Sequence, residues 1–126
     1  ERAVEIAEEF AYLGPVRGCE FAKLETQRFD LIVNATSASL RGDVPAIPPG
    51  VVDSLTTCYD MAYGSGDTAF VTWAKTRGAG RAEQGWGMLV EQAAEAFFLW
   101  RGVRPDTAPA LAALRARSIR ASRSPS

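Results

Sequence analysis

Apolar positions along the chain switch repeatedly between a helical period and short continuous runs. In residues 2–13, Ala3, Ile6, Ala7 and Phe10 recur at helical spacing while Glu5, Glu8 and Glu9 point the other way, and Gly14 supplies a C-terminal stop. Residues 19–24 form a weak strand candidate. Residues 29–33 form a better one, a short apolar run ending at Asn34 and followed by a polar loop containing Gly and Pro over 36–50. Further along, the pattern predicts a strand over 57–63, a helix over 68–77 closed by Gly78, and a short strand over 81–84. A strongly marked helix over 88–101 ends at Gly102, and a last short helix covers 107–117. Strands alternating with helices predict an α/β fold with a largely parallel sheet. No internal repeat is evident, and residues 118–126 (SIRASRSPS) read as a disordered tail behind a folded unit of residues 1–117.

In such sheets ligands gather at the carboxyl ends of the strands. Three predicted strands end in Asn34-Ala35-Thr36, Met61-Ala62-Tyr63 and Gly85-Trp86-Gly87, so polar, aromatic and glycine residues converge on one rim. Tyr59, Met61 and Tyr63 alternate and project from one side of their strand, a stripe that is more often core than site. Tyr63 is the exception, because a strand end is where a phenol can meet a ligand. The helix over 88–101 is apolar almost all round, which predicts burial on most of its faces. Glu91 and Glu95, four apart, make a solvent-side stripe, whereas Gln92 shares a face with Met88, Ala96 and Leu99. Gln92 then has two readings: a core glutamine bonded to neighbouring backbone, or an amide aimed at a ligand hydroxyl. Leaving it unsatisfied would cost about 1–3 kcal/mol. Gly85 and Gly87 are either sterically required at a helix start or open to a flat ring, and no GxGxxG pattern follows a first strand.

Composition narrows the function classes. At 126 residues, with 47% hydrophobic and 23% charged residues, the chain is the size and make-up of one globular domain. A net charge of -1, with 14 Lys and Arg scattered until the last few residues, gives no general pull on nucleic acid or an anionic membrane. Any anion must be held by a particular residue. No apolar run approaches the ~20 residues that span a bilayer. There is no histidine, and Cys19 and Cys58 have no partner at metal-ligand or redox spacing. Zinc and a His-based triad are thereby set aside, and both cysteines read as small buried hydrophobes in a reducing, cytoplasmic setting. The opening Glu-Arg-Ala-Val-Glu lacks the form of a signal peptide and starts in mid-helix without a cap or initiating methionine, as a piece of a longer protein would.

Three ordered segments carry a resemblance to a known family. Residues 29–37 (FDLIVNATS) resemble the NATS segment of the shikimate dehydrogenases, and residues 59–63 (YDMAY) resemble their YDMxY segment. Residues 85–94 (GWGMLVEQAA) are similar to their GxGMLVxQAA helix start, and residues 97–105 (FFLWRGVRP) extend the match. The resemblance implies a partial Rossmann-like parallel sheet with flanking helices, lacking the first βαβ unit, from an enzyme that interconverts 3-dehydroshikimate and shikimate with NADP. It also implies that Tyr63 and Gln92 contact substrate, that Met61 and Gly85 line the nicotinamide end of the cofactor with Met88 close behind, and that Arg2 grips the 2′-phosphate. A guanidinium suits that last task because it presents several donors to phosphate. Equally, Arg2 reads as an exposed first-turn residue.

The chain also departs from the family pattern. Ser39 stands where a glycine commonly follows NATSx, Trp86 replaces an aliphatic residue between the two glycines, and Ala69 replaces a frequent proline. The family's catalytic lysine and aspartate have no counterpart here, so catalytic residues are none and the chain alone is expected to be inactive. Alternatives are a quinate-preferring or NAD-using relative and a truncated, non-catalytic binding or assembly module. With the family's first two strands absent, the strand over 29–33 is expected to expose an edge. That edge should pair with another copy or element, or be covered by a first helix that moves, and the Cys19 segment should leave its family position.

Overall fold

A computed structural model of the protein describes residues 2–123. Helix α1 (Arg2–Glu9) leads through short 3-10 turns to strand β1 (Leu31–Asn34). Strand β2 (Thr57–Asp60), helix α2 (Ala69–Thr76), strand β3 (Arg81–Gln84), helix α3 (Trp86–Arg101) and helix α4 (Ala108–Arg123) follow. The three strands are parallel in the order β1-β2-β3. Thr68 begins α2 as its N-cap, its hydroxyl accepting from the Val71 N–H, which is why a Thr before an apolar run opens a helix.

Register sorts the residues of the sheet into rows. Ile32, Cys58 and Ala82 lie opposite one another and face a core of Val51, Val52, Phe70 and Ala74, with Trp73, Leu24 and Phe29 around it. Two residues on, and so on the same face, Asn34, Asp60 and Gln84 form the next row. The sheet therefore changes from apolar to polar within one pleat, at its carboxyl end.

Several expectations change. Residues 19–24 form no strand; residues 21–24 make a 3-10 helix instead. Phe21 and Leu24 there line a groove of about 260 Å³ with Leu31 and Val33. Cys19 is exposed rather than buried, since no sheet takes it in. Among the described residues strand β1 has no partner on its outer side, and Leu31 and Val33 there remain half-exposed with α1 leaving them uncovered. Helix α3 is not buried on most faces: Val90 and Ala94 are buried, while Leu99 and Trp100 are 74% and 80% exposed. Its partner helix is α4, and one neighbour cannot cover a helix that is apolar all round. The Glu91 and Glu95 stripe is on the outside as expected, and both carboxylates pair with Arg104. Helix α4 is described as far as Arg123, beyond the end at Arg117 expected for the last helix, and residues 124–126 of the expected tail lie outside the described ones. Among the described residues no helix is long and apolar enough to cross a membrane.

The two thiols should differ sharply. Cys58 is fully buried, and burial pushes its thiol up from the ordinary range, away from the reactive thiolate. A thiol reagent at neutral pH should label Cys19 and spare Cys58 until the chain is unfolded. Labelling of both at similar rates, read by peptide mass spectrometry, would contradict this core.

Candidate functional site at the strand carboxyl ends

The polar row is organised around one carboxylate. Asp60 is 0% exposed, yet no Lys or Arg reaches it among the described residues. Four neutral donors surround it instead. Asn34 Nδ2 (3.1 Å) and the Ala62 N–H (3.1 Å) donate to Oδ1, while the hydroxyls of Ser39 and Thr68, each at 2.6 Å, donate to Oδ2. Asn34 also donates to Ser39 Oγ (2.9 Å), and its own Oδ1 accepts from the Thr36 N–H (3.1 Å) and hydroxyl (2.8 Å). The loop after β1, the loop after β2 and the start of α2 are thus tied to a single buried group.

Above this network lies a cleft of about 390 Å³, lined by Ala35, Thr36, Leu40, Met61, Ala62 and Tyr63. Met61 and Tyr63 are half-exposed, and β2 stops at Asp60, so both belong to the loop rather than to a strand stripe with Tyr59. Tyr59 does something different: its phenol oxygen accepts the Met88 N–H (3.2 Å) in the first turn of α3, where Gly85 as N-cap offers no side chain. Gly85 is sterically required, because a Cβ would lie 2.3 Å from the Met61 carbonyl oxygen, and its N–H donates to Ala62 (2.9 Å). The rim is therefore stitched directly to the start of α3.

Trp86 packs against Tyr63, ring centroids 4.8 Å apart, and lines a separate cleft with Arg115 and Ser118. Its ring backs Tyr63 and is not part of the Met61 cleft lining. Gln92 is exposed and makes no side-chain hydrogen bond among the described residues, so the core-glutamine reading does not hold. Arg2 is exposed in the first turn of α1, without an ion pair among the described residues, and the cleft's lining does not include it. Met61 and Tyr63 thus meet in one cleft and Gly85 touches its floor, while Gln92 and Arg2 stand outside it. Sequence reasoning passed over Asp60, Thr68 and Gln84. The available signal was an acidic residue closing an apolar strand, with a helix-capping Thr eight positions later.

Chemically, the cleft offers an apolar floor for a flat ring and a phenol for a hydroxyl or carboxylate. Its lining, among the described residues, has no lysine and no carboxylate. Asp60 is committed to structure. Asp60→Asn would set an NH2 against donors that already point inward, and at least one should lose its acceptor. The expected cost is about 1–3 kcal/mol, seen as a lower urea midpoint with an unchanged slope. An unchanged midpoint would mean the network does not hold the rim.

Comparison with known proteins adds the rest. Residues 85–115 match the model of the shikimate 5′-dehydrogenase C-terminal domain. Curated relatives include the shikimate dehydrogenase (NADP(+)) of Dechloromonas aromatica, 51% identical over 94% of this chain and 43% of that protein. That of Hahella chejuensis is 58% identical over 90% of this chain and 42% of the relative. Among solved structures, an Ael1 enzyme from Pseudomonas putida is similar with a TM-score of 0.79 and 44% identity, over 90% of this chain and 42% of that one. Shikimate 5-dehydrogenase from Thermus thermophilus, in complex with NADP(H) and shikimate, gives a TM-score of 0.73 at 32% identity, over 94% and 42%. The chain spans about two fifths of the length of these relatives, and with a matching fold, matching motifs and this level of identity it belongs to the shikimate dehydrogenase family.

Proposed function

We propose that this chain supplies the cofactor- and substrate-contacting rim of an NADP-dependent shikimate dehydrogenase, interconverting 3-dehydroshikimate and shikimate in the cytoplasm. The observation that carries the reading is the cleft formed by Met61 and Tyr63 over the Asp60 network, in a chain about half identical to proteins of that name. The lining fits the cofactor's flat end. Ala35 and Ala62 are small, Met61 is a soft apolar surface, and Gly85 lies behind them against the Met61 and Ala62 backbone. When bound, NADPH supplies the hydride. Met61 and Gly85 border its nicotinamide end, and Arg2 meets the 2′-phosphate. Tyr63 offers its phenol to a shikimate hydroxyl or carboxylate, and the Gln92 amide, without a partner among the described residues, offers a donor and an acceptor together.

In this reading residues 1–117 are part of a dinucleotide-binding domain, and the proton for the ketone comes from outside the chain. The open edge of β1 accepts a further strand, from a second copy or another element.

The chain alone should show no shikimate-dependent reduction of NADP. A chimaera in which it replaces the matching segment of the Hahella chejuensis enzyme should turn over. Gln92→Ala in that chimaera should cost ~1–3 kcal/mol in kcat/KM for shikimate, with stability little changed. Turnover by the purified chain alone, or a Gln92→Ala variant that is fully active, would overturn the corresponding part of the reading.

A further inference from the structure

The loop that carries Tyr63 onward is Gly64-Ser65-Gly66, and two glycines in three residues leave it little conformational preference of its own. Gly66 sits at φ +83°, in the left-handed region. Four hydrogen bonds from outside nevertheless fix this loop. The Gly64 N–H donates to Gln84 Oε1 (3.0 Å), and Gln84 Nε2 donates to the Gly66 carbonyl (2.9 Å). Ser118 Oγ donates to the Gly64 carbonyl (2.8 Å), and the Gly66 N–H donates back to Ser118 Oγ (3.3 Å). Gln84 ends β3 and Ser118 lies on α4, so the sheet and the last helix grip the loop from two sides.

The Gly64 nitrogen belongs to the peptide unit that begins at the Tyr63 carbonyl carbon, and the Tyr63 ring leans on Trp86. Backbone and ring of Tyr63 are thereby held by separate groups. One turn before Ser118, Arg115 pairs with Glu83, the neighbour of Gln84 on β3 (3.5 Å). Only a hydroxyl is both donor and acceptor on a side chain this short, and the site uses both capacities.

We propose that Ser118 is a positioning residue for the substrate: through residues 64–66 it sets the backbone from which Tyr63 enters the cleft. The last helix is then part of the site's framework, although it lines no part of the Met61 cleft. This inference rests on the assignment of Tyr63 to the substrate.

Two measurements test it. In the chain itself, amide exchange at Gly64 is the informative readout, because that N–H is bonded to Gln84 and not to Ser118. Ser118→Ala should speed Gly64 exchange about 3- to 10-fold and leave the amides of β2 unchanged. In the active chimaera, Ser118→Ala should raise the shikimate KM about 3- to 10-fold, with the NADP KM and Tm little moved, and Ser118→Thr should restore it. Unchanged Gly64 exchange overturns the proposal. So does an unchanged shikimate KM in Ser118→Ala where Tyr63→Phe raises it. If Tyr63→Phe leaves kcat/KM unchanged, the substrate assignment of Tyr63 is overturned, while faster Gly64 exchange in Ser118→Ala still upholds the clamp.

Discussion

A buried carboxylate without a cation determines how the rim is built. Removing a carboxylate from water costs several kcal/mol unless hydrogen bonds replace the lost hydration. Asp60 recovers that cost from two amide N–H groups and two hydroxyls drawn from four separate places in the chain. Each donor is fixed by a different element: Asn34 by β1, Ser39 by the loop that follows it, Ala62 by the turn after β2, and Thr68 by α2. Satisfying Asp60 and assembling the rim are therefore one event. Ser39 supplies one of the two hydroxyl donors on Oδ2.

Much of the architecture was legible from pattern. The alternation of strands and helices, the parallel sheet and the convergence of three strand ends all follow from apolar periods and from where polar residues interrupt them. Boundaries moved by a few residues because short strands end where register runs out, as β2 does at Asp60, and not where the apolar pattern does. Residues 19–24 misled because a short apolar run does not distinguish a strand from a 3-10 turn, and here Phe21 and Leu24 pack from such a turn into the groove beside β1. Asp60 escaped notice since its role depends on partners up to 26 positions away, which no local spacing reveals. Ser118 was hidden for the same reason, among residues whose composition resembles a tail.

Leu31 and Val33 on β1, and the run 97–100 at the end of α3, are side chains of a kind that cores enclose, yet they stand half-exposed or more. The polar network closes on itself, with all of the Asp60 donors inside residues 34–68. The Asp60 network is thus self-contained, while the Tyr63 loop above it also leans on β3 and α4.

The most direct test of the account is where ligands touch the chain. In a titration of the 15N-labelled protein with shikimate and NADP, amide shifts should concentrate at Ala35 and Thr36, at residues 61–66 and at residues 85–88, with α4 around Ser118 following the loop. Shifts confined to the groove beside β1 or spread without focus, with the strand-end amides unmoved at saturating ligand, would contradict it.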